Sequence, residues 1–215
     1  KFVNIREYAA FLSVNANLFV RTMALIFTIA FVTAQGARMG SLILAANAIL
    51  MQLQNLTAFG LDGLAHAAEA LVGKAIGARR RDALEASVRL TLKWSLVFAA
   101  GFAALYAVAG PLIINVLTDL PDVRATAMTY LPWMIVSPLV SVWCFLYDGV
   151  YVGATRAREM RNIMVLSAFG VFIPAWYVLQ PLGNDGLWLA FLLFLASRGI
   201  GMHIGYRRKV LPNLQ

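Results

Sequence analysis

The sequence predicts an all-α polytopic membrane protein with six transmembrane helices. Three observations predict it. Of the 215 residues, 61% are apolar and only 13% charged, against roughly 45–50% and about 25% in soluble globular chains. Apolar blocks long enough to cross a bilayer recur six times. Lysine and arginine collect between alternate blocks instead of forming one patch. So little charge cannot coat a water-exposed surface, which excludes a soluble enzyme, a disordered chain and a secreted disulfide scaffold. The single cysteine, Cys144, excludes internal disulfides and cysteine-cluster metal sites.

The blocks follow one another closely. The first runs over 11–34 and ends at the break Gln35-Gly36-Ala37-Arg38-Met39-Gly40; the second covers 41–72. A basic stretch with Lys74, Arg79, Arg80, Arg81 and Asp82 follows. The third and fourth cover 94–117 and 125–152, and the fifth and sixth cover 163–179 and 187–204, with a turn from Pro181 to Gly186 between the last two. A spanning helix needs about 20 residues, which these blocks supply. They alternate too weakly for barrel strands. Backbone groups in lipid must be satisfied within their own segment, so helices remain.

The net charge of +8 belongs to the lipid bilayer as partner, not to a nucleic acid. Lys1 and Arg6 precede the first span. Lys74 and Arg79–Arg81 follow the second, Arg156, Arg158 and Arg161 the fourth, and Arg207, Arg208 and Lys209 the sixth. The other loops hold only Arg38 and Arg124, with Asp119, Asp122 and Asp185. The positive-inside rule then places both termini in the cytoplasm of a multi-pass inner (plasma) membrane protein. Trp133, Trp176, Tyr177 and Trp188 fall near the outer ends, where an aromatic belt is expected. Lys1 to Asn15 mixes polar and apolar residues without a small-residue cleavage site, so no signal peptide is expected there.

Polar residues inside the spans are the functional candidates. Asn55, Asp62 and Glu69 are spaced by seven, close to one helix face, with His66 between the last two. Ser137, Ser141, Cys144, Asp148 and Tyr151 form a second stripe, and Asn17, Arg21 and Thr28 a third. Three such seams should meet inside a bundle. Each also has a plain structural reading, since polar side chains join membrane helices at about 0.6–2 kcal/mol per bond. Carboxylates raise the stakes, because one at the bilayer centre costs about 2.5–3.5 kcal/mol even on the lenient scale. Arg21 could neutralise Asp62 or Asp148 as a purely structural pair, and Arg198 reads as a snorkelling or helix-pairing cation. Asp62, His66 and Glu69 lack a second histidine or cysteine at ligand spacing, so no metal site is expected. Enzyme signatures such as HExxH, GxSxG or a glycine-rich phosphate loop are missing. Leu61-Asp62-Gly63 and Tyr147-Asp148-Gly149 form a faint internal echo.

These residues carry a resemblance. The run from Ala58 to Gly77, AFGLDGLAHAAEALVGKAIG, resembles the eighth-helix signature of the MATE (multidrug and toxin extrusion) transporters, most closely their DinF-like branch. Asn17-Leu18-Phe19-Val20-Arg21-Thr22 is similar to the seventh helix of that branch. Phe145-Leu146-Tyr147-Asp148-Gly149-Val150-Tyr151-Val152-Gly153-Ala154 is similar to its tenth, and Arg161-Asn162-Ile163-Met164 to the entry of its eleventh. The resemblance covers essentially the whole chain. It implies the C-terminal six-helix lobe of a twelve-helix, two-lobe transporter, with the N-terminal lobe as the missing partner. Sodium-coupled relatives carry an acidic residue in the seventh helix; the first span here has none, Glu7 lying ahead of it. Asp148 matches the acidic position of the tenth helix, and the resemblance makes it the best cation candidate of this chain.

The function so implied is secondary active efflux of amphipathic, cationic small molecules, driven by a proton or sodium gradient and needing no cofactor. Its site residues would be Asp148, Asp62, Glu69, Arg21, Asn17, Asn55, Ser141 and Tyr151. A lipid-linked precursor flippase of the same superfamily is the alternative, and it would want several cavity cations where only Arg21 and Arg198 are on offer. A non-transporting membrane scaffold is the other, and aligned polar seams argue against it. The charge pattern makes a direct prediction. A cysteine introduced at Arg80 or Arg156 should react with an impermeant maleimide only from the cytoplasmic side, and one at Asp119 only from outside; labelling of position 80 in intact cells would reverse the orientation.

Overall fold

The structure, a computed structural model, describes residues 5–211; Lys1 and the side chains of Arg6, Glu7 and Lys209 lie outside what it describes. It is an up-and-down bundle of long helices: α1 (Ile5–Arg38), α2 (Ser41–Gly77), α3 (Arg81–Leu117), α4 (Pro121–Gly153), α5 (Ala157–Val165), α6 (Ile173–Leu179) and α7 (Asn184–Gly205). A π-helical turn, Leu166–Phe172, joins α5 and α6 into one crossing, so six segments are long and apolar enough to span a membrane. The widened turn has a local cause. Pro174 lacks an N–H and its ring would clash with the carbonyl four residues back, and one extra residue per turn relieves that strain.

The helices run beyond the apolar blocks at several ends. The block at 94–117 is only the later part of α3, whose first three turns are charged and amphipathic. Arg81 there reaches Glu85 at 2.9 Å, the i,i+4 spacing that supports an exposed helix. Hydropathy sees the membrane-embedded stretch; hydrogen bonding carries the helix past it into water.

The turns on the basic end share one geometry. After α2, the Arg80 amide donates to the Ala75 carbonyl at 3.0 Å; after α4, the Arg156 amide donates to the Tyr151 carbonyl at 2.9 Å. The intervening Arg79 and Thr155 take φ of 52° and 55°. Both are left-handed helix closures that satisfy the last carbonyls. At the opposite end α3 is closed by a side chain instead. Arg124 donates to the carbonyls of Thr118 (2.7 Å) and Asn115 (2.9 Å).

The central pair is α2 and α4, which run in the same direction. Gly149 and Gly153, one turn apart on α4, lie against the backbone of Ala65 and Glu69 on α2; a Cβ at either glycine would overlap those carbonyls. Small residues at this spacing let membrane helices touch backbone to backbone. Further along α2, Thr57 reaches the Tyr106 hydroxyl of α3 at 2.9 Å, buried Gln54 accepts a hydrogen bond from Ser137 of α4, and Asn47 pairs with α7. In that last contact Asn47 and Asn184 exchange two hydrogen bonds of 2.7 and 2.9 Å, and the Trp188 indole donates to Asn47 at 3.0 Å.

That network corrects one expectation. Trp188 and Trp176 are buried in the bundle and do not belong to an interfacial belt; Tyr177, at 64% exposure, does face outward. Sequence position gave the depth of these rings but not the side of the helix, and an indole whose N–H has a buried partner is stable inside.

Gly149→Ala should strain the α2–α4 contact, and overpacking of this kind costs about 1–3 kcal/mol. The expected outcome is a lower melting temperature of the purified protein in detergent. Gly63→Ala, where nothing lies within 4 Å of the added Cβ, should leave melting unchanged.

Candidate functional site

Backbone contact between α2 and α4 fixes the depth of their carboxylates. Because Gly149 abuts Ala65 and Gly153 abuts Glu69, Asp148 lies within one turn of the depth of Asp62. The faint echo between the two Asp-Gly motifs is thus a spatial neighbourhood. Around it α1, α2, α4 and α7, with Met160 of α5, enclose a concavity of about 360 Å³. Arg21, Asn55, Asp62, Glu69 and Asp148 line it, together with His66, Gln54 and Arg198.

The structure therefore brings together five of the eight residues singled out from the sequence. The other three do other work. Asn17 accepts a hydrogen bond from Arg161 at 2.7 Å, tying α1 to α5 at the basic end. The Tyr151 hydroxyl donates to the Met202 carbonyl at 2.9 Å, packing α4 on α7. Ser141 is buried and turns back to its own helix, to the Pro138 carbonyl at 3.5 Å. An α4 stripe with i, i+4, i+7 spacing spreads over enough arc that only Asp148 reaches the cavity.

Asp148 is the electrostatic centre. Its Oδ2 accepts hydrogen bonds from two arginines, Arg21 of α1 and, at 2.9 Å, Arg198 of α7. The Asp148 and Arg198 side chains are 13% and 3% exposed. Asp148 Oδ1 and the Nε atoms of Arg21 and Arg198 are buried and make no hydrogen bond. One carboxylate thus neutralises half of the positive charge beside it. Arg198 also stacks on Phe194, its guanidinium carbon 5.4 Å from the ring centroid.

Asp62 sits differently. It is half-buried on the cavity wall and makes no hydrogen bond or salt bridge among the described residues. One turn on, His66 approaches Glu69 at 3.5 Å, both well exposed to the cavity mouth. Taken together the lining carries two arginines against three carboxylates, so with His66 neutral the cavity is acidic by one charge. No group of three metal-ligating side chains occurs among the described residues.

Sequence reasoning reached Arg198 as a helix-pairing cation but not as the partner of Asp148. It missed Gln54 and the Gly149-x3-Gly153 contact. Both had a signal: Gln54 lies seven residues from Asn47 on α2, and a small-x3-small spacing is legible in any helix.

Two classes of comparison agree with this architecture. Residues 16–178 match the MatE family, and the chain is 42% identical over 202 residues to DNA damage-inducible protein F of Escherichia coli, covering 94% of this chain and 44% of that protein. This chain therefore belongs to the MatE family of membrane transporters. Its fold matches a crystal structure of a MATE protein in the bent conformation with a TM-score of 0.88 at 16% identity, over 100% of this chain and 48% of that one. The Vibrio cholerae MATE transporter VcmN in its bent form gives 0.87 at 18% identity, over 99% and 49%. The chain spans about half the length of the relatives it matches.

The clasp geometry makes a stability prediction. Asp148→Asn leaves buried Arg198 and half-buried Arg21 without their carboxylate, and breaking a buried pair costs about 3–5 kcal/mol. Melting in detergent should fall sharply. In Asp148→Asn/Arg198→Met the surplus buried charge is halved, so part of the loss should return. A double variant no more stable than the single one would contradict the three-way pairing.

Proposed function

We propose that this chain is the C-terminal lobe of an antiporter that exports amphipathic cations on a proton or sodium gradient, with an N-terminal six-helix lobe as its partner. The carrying observation is the cavity: three carboxylates against two arginines, with neither Asp62 nor Glu69 in a salt bridge to an arginine among the described residues. An acidic concavity walled by Leu25, Met51, Phe145 and Phe191 suits a ligand that is both greasy and positively charged. In such a cycle the coupling ion and the substrate would occupy the carboxylates in turn as the two lobes rock about the cleft. Efflux of varied compounds fits a site whose walls are mostly apolar.

Flipping of a pyrophosphate-linked lipid is less well supported. That cargo needs free cationic side chains, and both cavity arginines are committed to Asp148. A scaffold without transport gives no reason for an unpaired carboxylate such as Asp62 within a span.

Alternating access needs two bodies moving about one site. Gradient-driven efflux of a cationic dye from vesicles is therefore expected when this chain is produced with an N-terminal lobe, and not when it is produced alone. Strong efflux from the chain by itself would point to a self-assembling transporter and overturn the single-lobe reading.

A further inference from the structure

Five segments of the chain come together at the basic end of the bundle and enclose a second cavity, of about 610 Å³. It shares no lining residue with the carboxylate cavity. We propose that it seats the headgroup of an anionic phospholipid, with Arg156 and Arg158 holding the phosphate. The site does not depend on what the transporter carries.

The cavity lies at the depth of lipid headgroups. On this side the spans begin at Leu12 and Ala157 and end at Gly77, Gly153 and Arg208. The lining comes from those ends: Val14 and Asn17 of α1, Ile76 of α2, the turn at 154–156, the first turn of α5, and Val210 beyond α7. Span ends are where hydrocarbon gives way to the polar interface, and the positive-inside rule assigns this end to the cytoplasmic leaflet. The walls are of two kinds. Val14, Ile76 and Val210 are apolar, whereas Arg156 and Arg158 present guanidinium groups. A phospholipid has both matching surfaces, an anionic head and apolar chains. A free phosphate ion has only the first, and would leave most of the volume to water.

Charge selects the sign of the ligand. Arg156 pairs with Glu159 at 3.2 Å, and its side chain stays 35% exposed in that i,i+3 bridge. Arg158 is exposed and makes no hydrogen bond or salt bridge among the described residues. Arg161, one turn along α5, donates to the side-chain oxygens of Asn17 at 2.7 Å and Asn162 at 3.0 Å, both neutral. Three arginines thus stand against one carboxylate, a surplus of two positive charges. Guanidinium groups fork onto phosphate oxygens through paired hydrogen bonds, and the cavity wall offers two of them. Cardiolipin carries two phosphodiesters and matches the surplus. Phosphatidylcholine carries its own quaternary ammonium, which the same surplus repels. A lipid seated there touches α1 and α5 together, adding to the Asn17–Arg161 contact that joins them.

The test uses the purified two-lobe transporter containing this chain, in detergent. Native mass spectrometry counts bound lipid, and melting is recorded alongside. Cardiolipin and phosphatidylglycerol are expected to bind, and phosphatidylcholine about tenfold more weakly. Arg158→Gln should weaken cardiolipin binding about fivefold and Arg156→Gln/Arg158→Gln about twenty-fivefold, the effect of one and two charges near a membrane surface. Arg158→Lys, which keeps the charge, should bind nearly as well as the unsubstituted protein. Arg80→Gln removes the same charge at the same end but outside the cavity, and should leave binding unchanged. Cardiolipin should also raise the melting temperature of the unsubstituted protein and not that of the double variant. Equal binding of phosphatidylcholine would overturn the site. So would a loss in Arg80→Gln matching that in Arg158→Gln, which would reduce the effect to diffuse surface charge. Inorganic phosphate that displaces cardiolipin at equal concentration would give the cavity to a soluble anion instead.

Discussion

Everything in this bundle is hung on the place where α2 and α4 touch backbone to backbone. Gly149 and Gly153 remove the side chains that would hold the helices apart, and the helices close to a distance that larger residues forbid. Lipid offers no hydrophobic driving force between helices, so close packing and polar contacts must hold them. With the two axes fixed, the remaining polar contacts of α2 fall into place as spokes: Asn47 to α7, Gln54 to α4 and Thr57 to α3. Asp62 and Asp148 acquire their similar depth from the same contact.

A second constraint follows from charge. A membrane lobe with two arginines and three carboxylates around one cavity must account for each, since an isolated charge there is expensive. The account is uneven. Asp148 is shared by Arg21 and Arg198, Glu69 leans toward His66 near the mouth, and Asp62 forms no salt bridge among the described residues.

Polar residues in this bundle are mostly glue. The Asn47–Asn184–Trp188 cluster, the Thr57–Tyr106 pair and the Tyr151 hydroxyl each satisfy buried groups between helices. Asn17 falls in the same category and Ser141 bonds back to its own helix, although their spacing along the chain matches that of cavity residues. Helical periodicity assigns a residue to a face, and a face about 100° wide serves more than one neighbour. Asp148 and Tyr151 are three residues apart on α4, yet one points into the cavity and the other into the α7 contact.

Composition, block length and the distribution of lysine and arginine determined, without any coordinates, that this chain is a six-span helical membrane protein. The reason is general: lipid tolerates few backbone arrangements, so hydropathy alone selects among them. The motifs around Asp62 and Asp148 pointed as far as the transporter family. Tertiary structure alone decided which polar residues share a cavity, which aspartate is clasped by which arginine, and that Trp176 and Trp188 lie inside. Those outcomes depend on the rotation of each helix about its axis and on its partner across the bundle. Both are set by contacts such as Gly149 on Ala65, between residues 84 positions apart in the chain, and no local pattern records them.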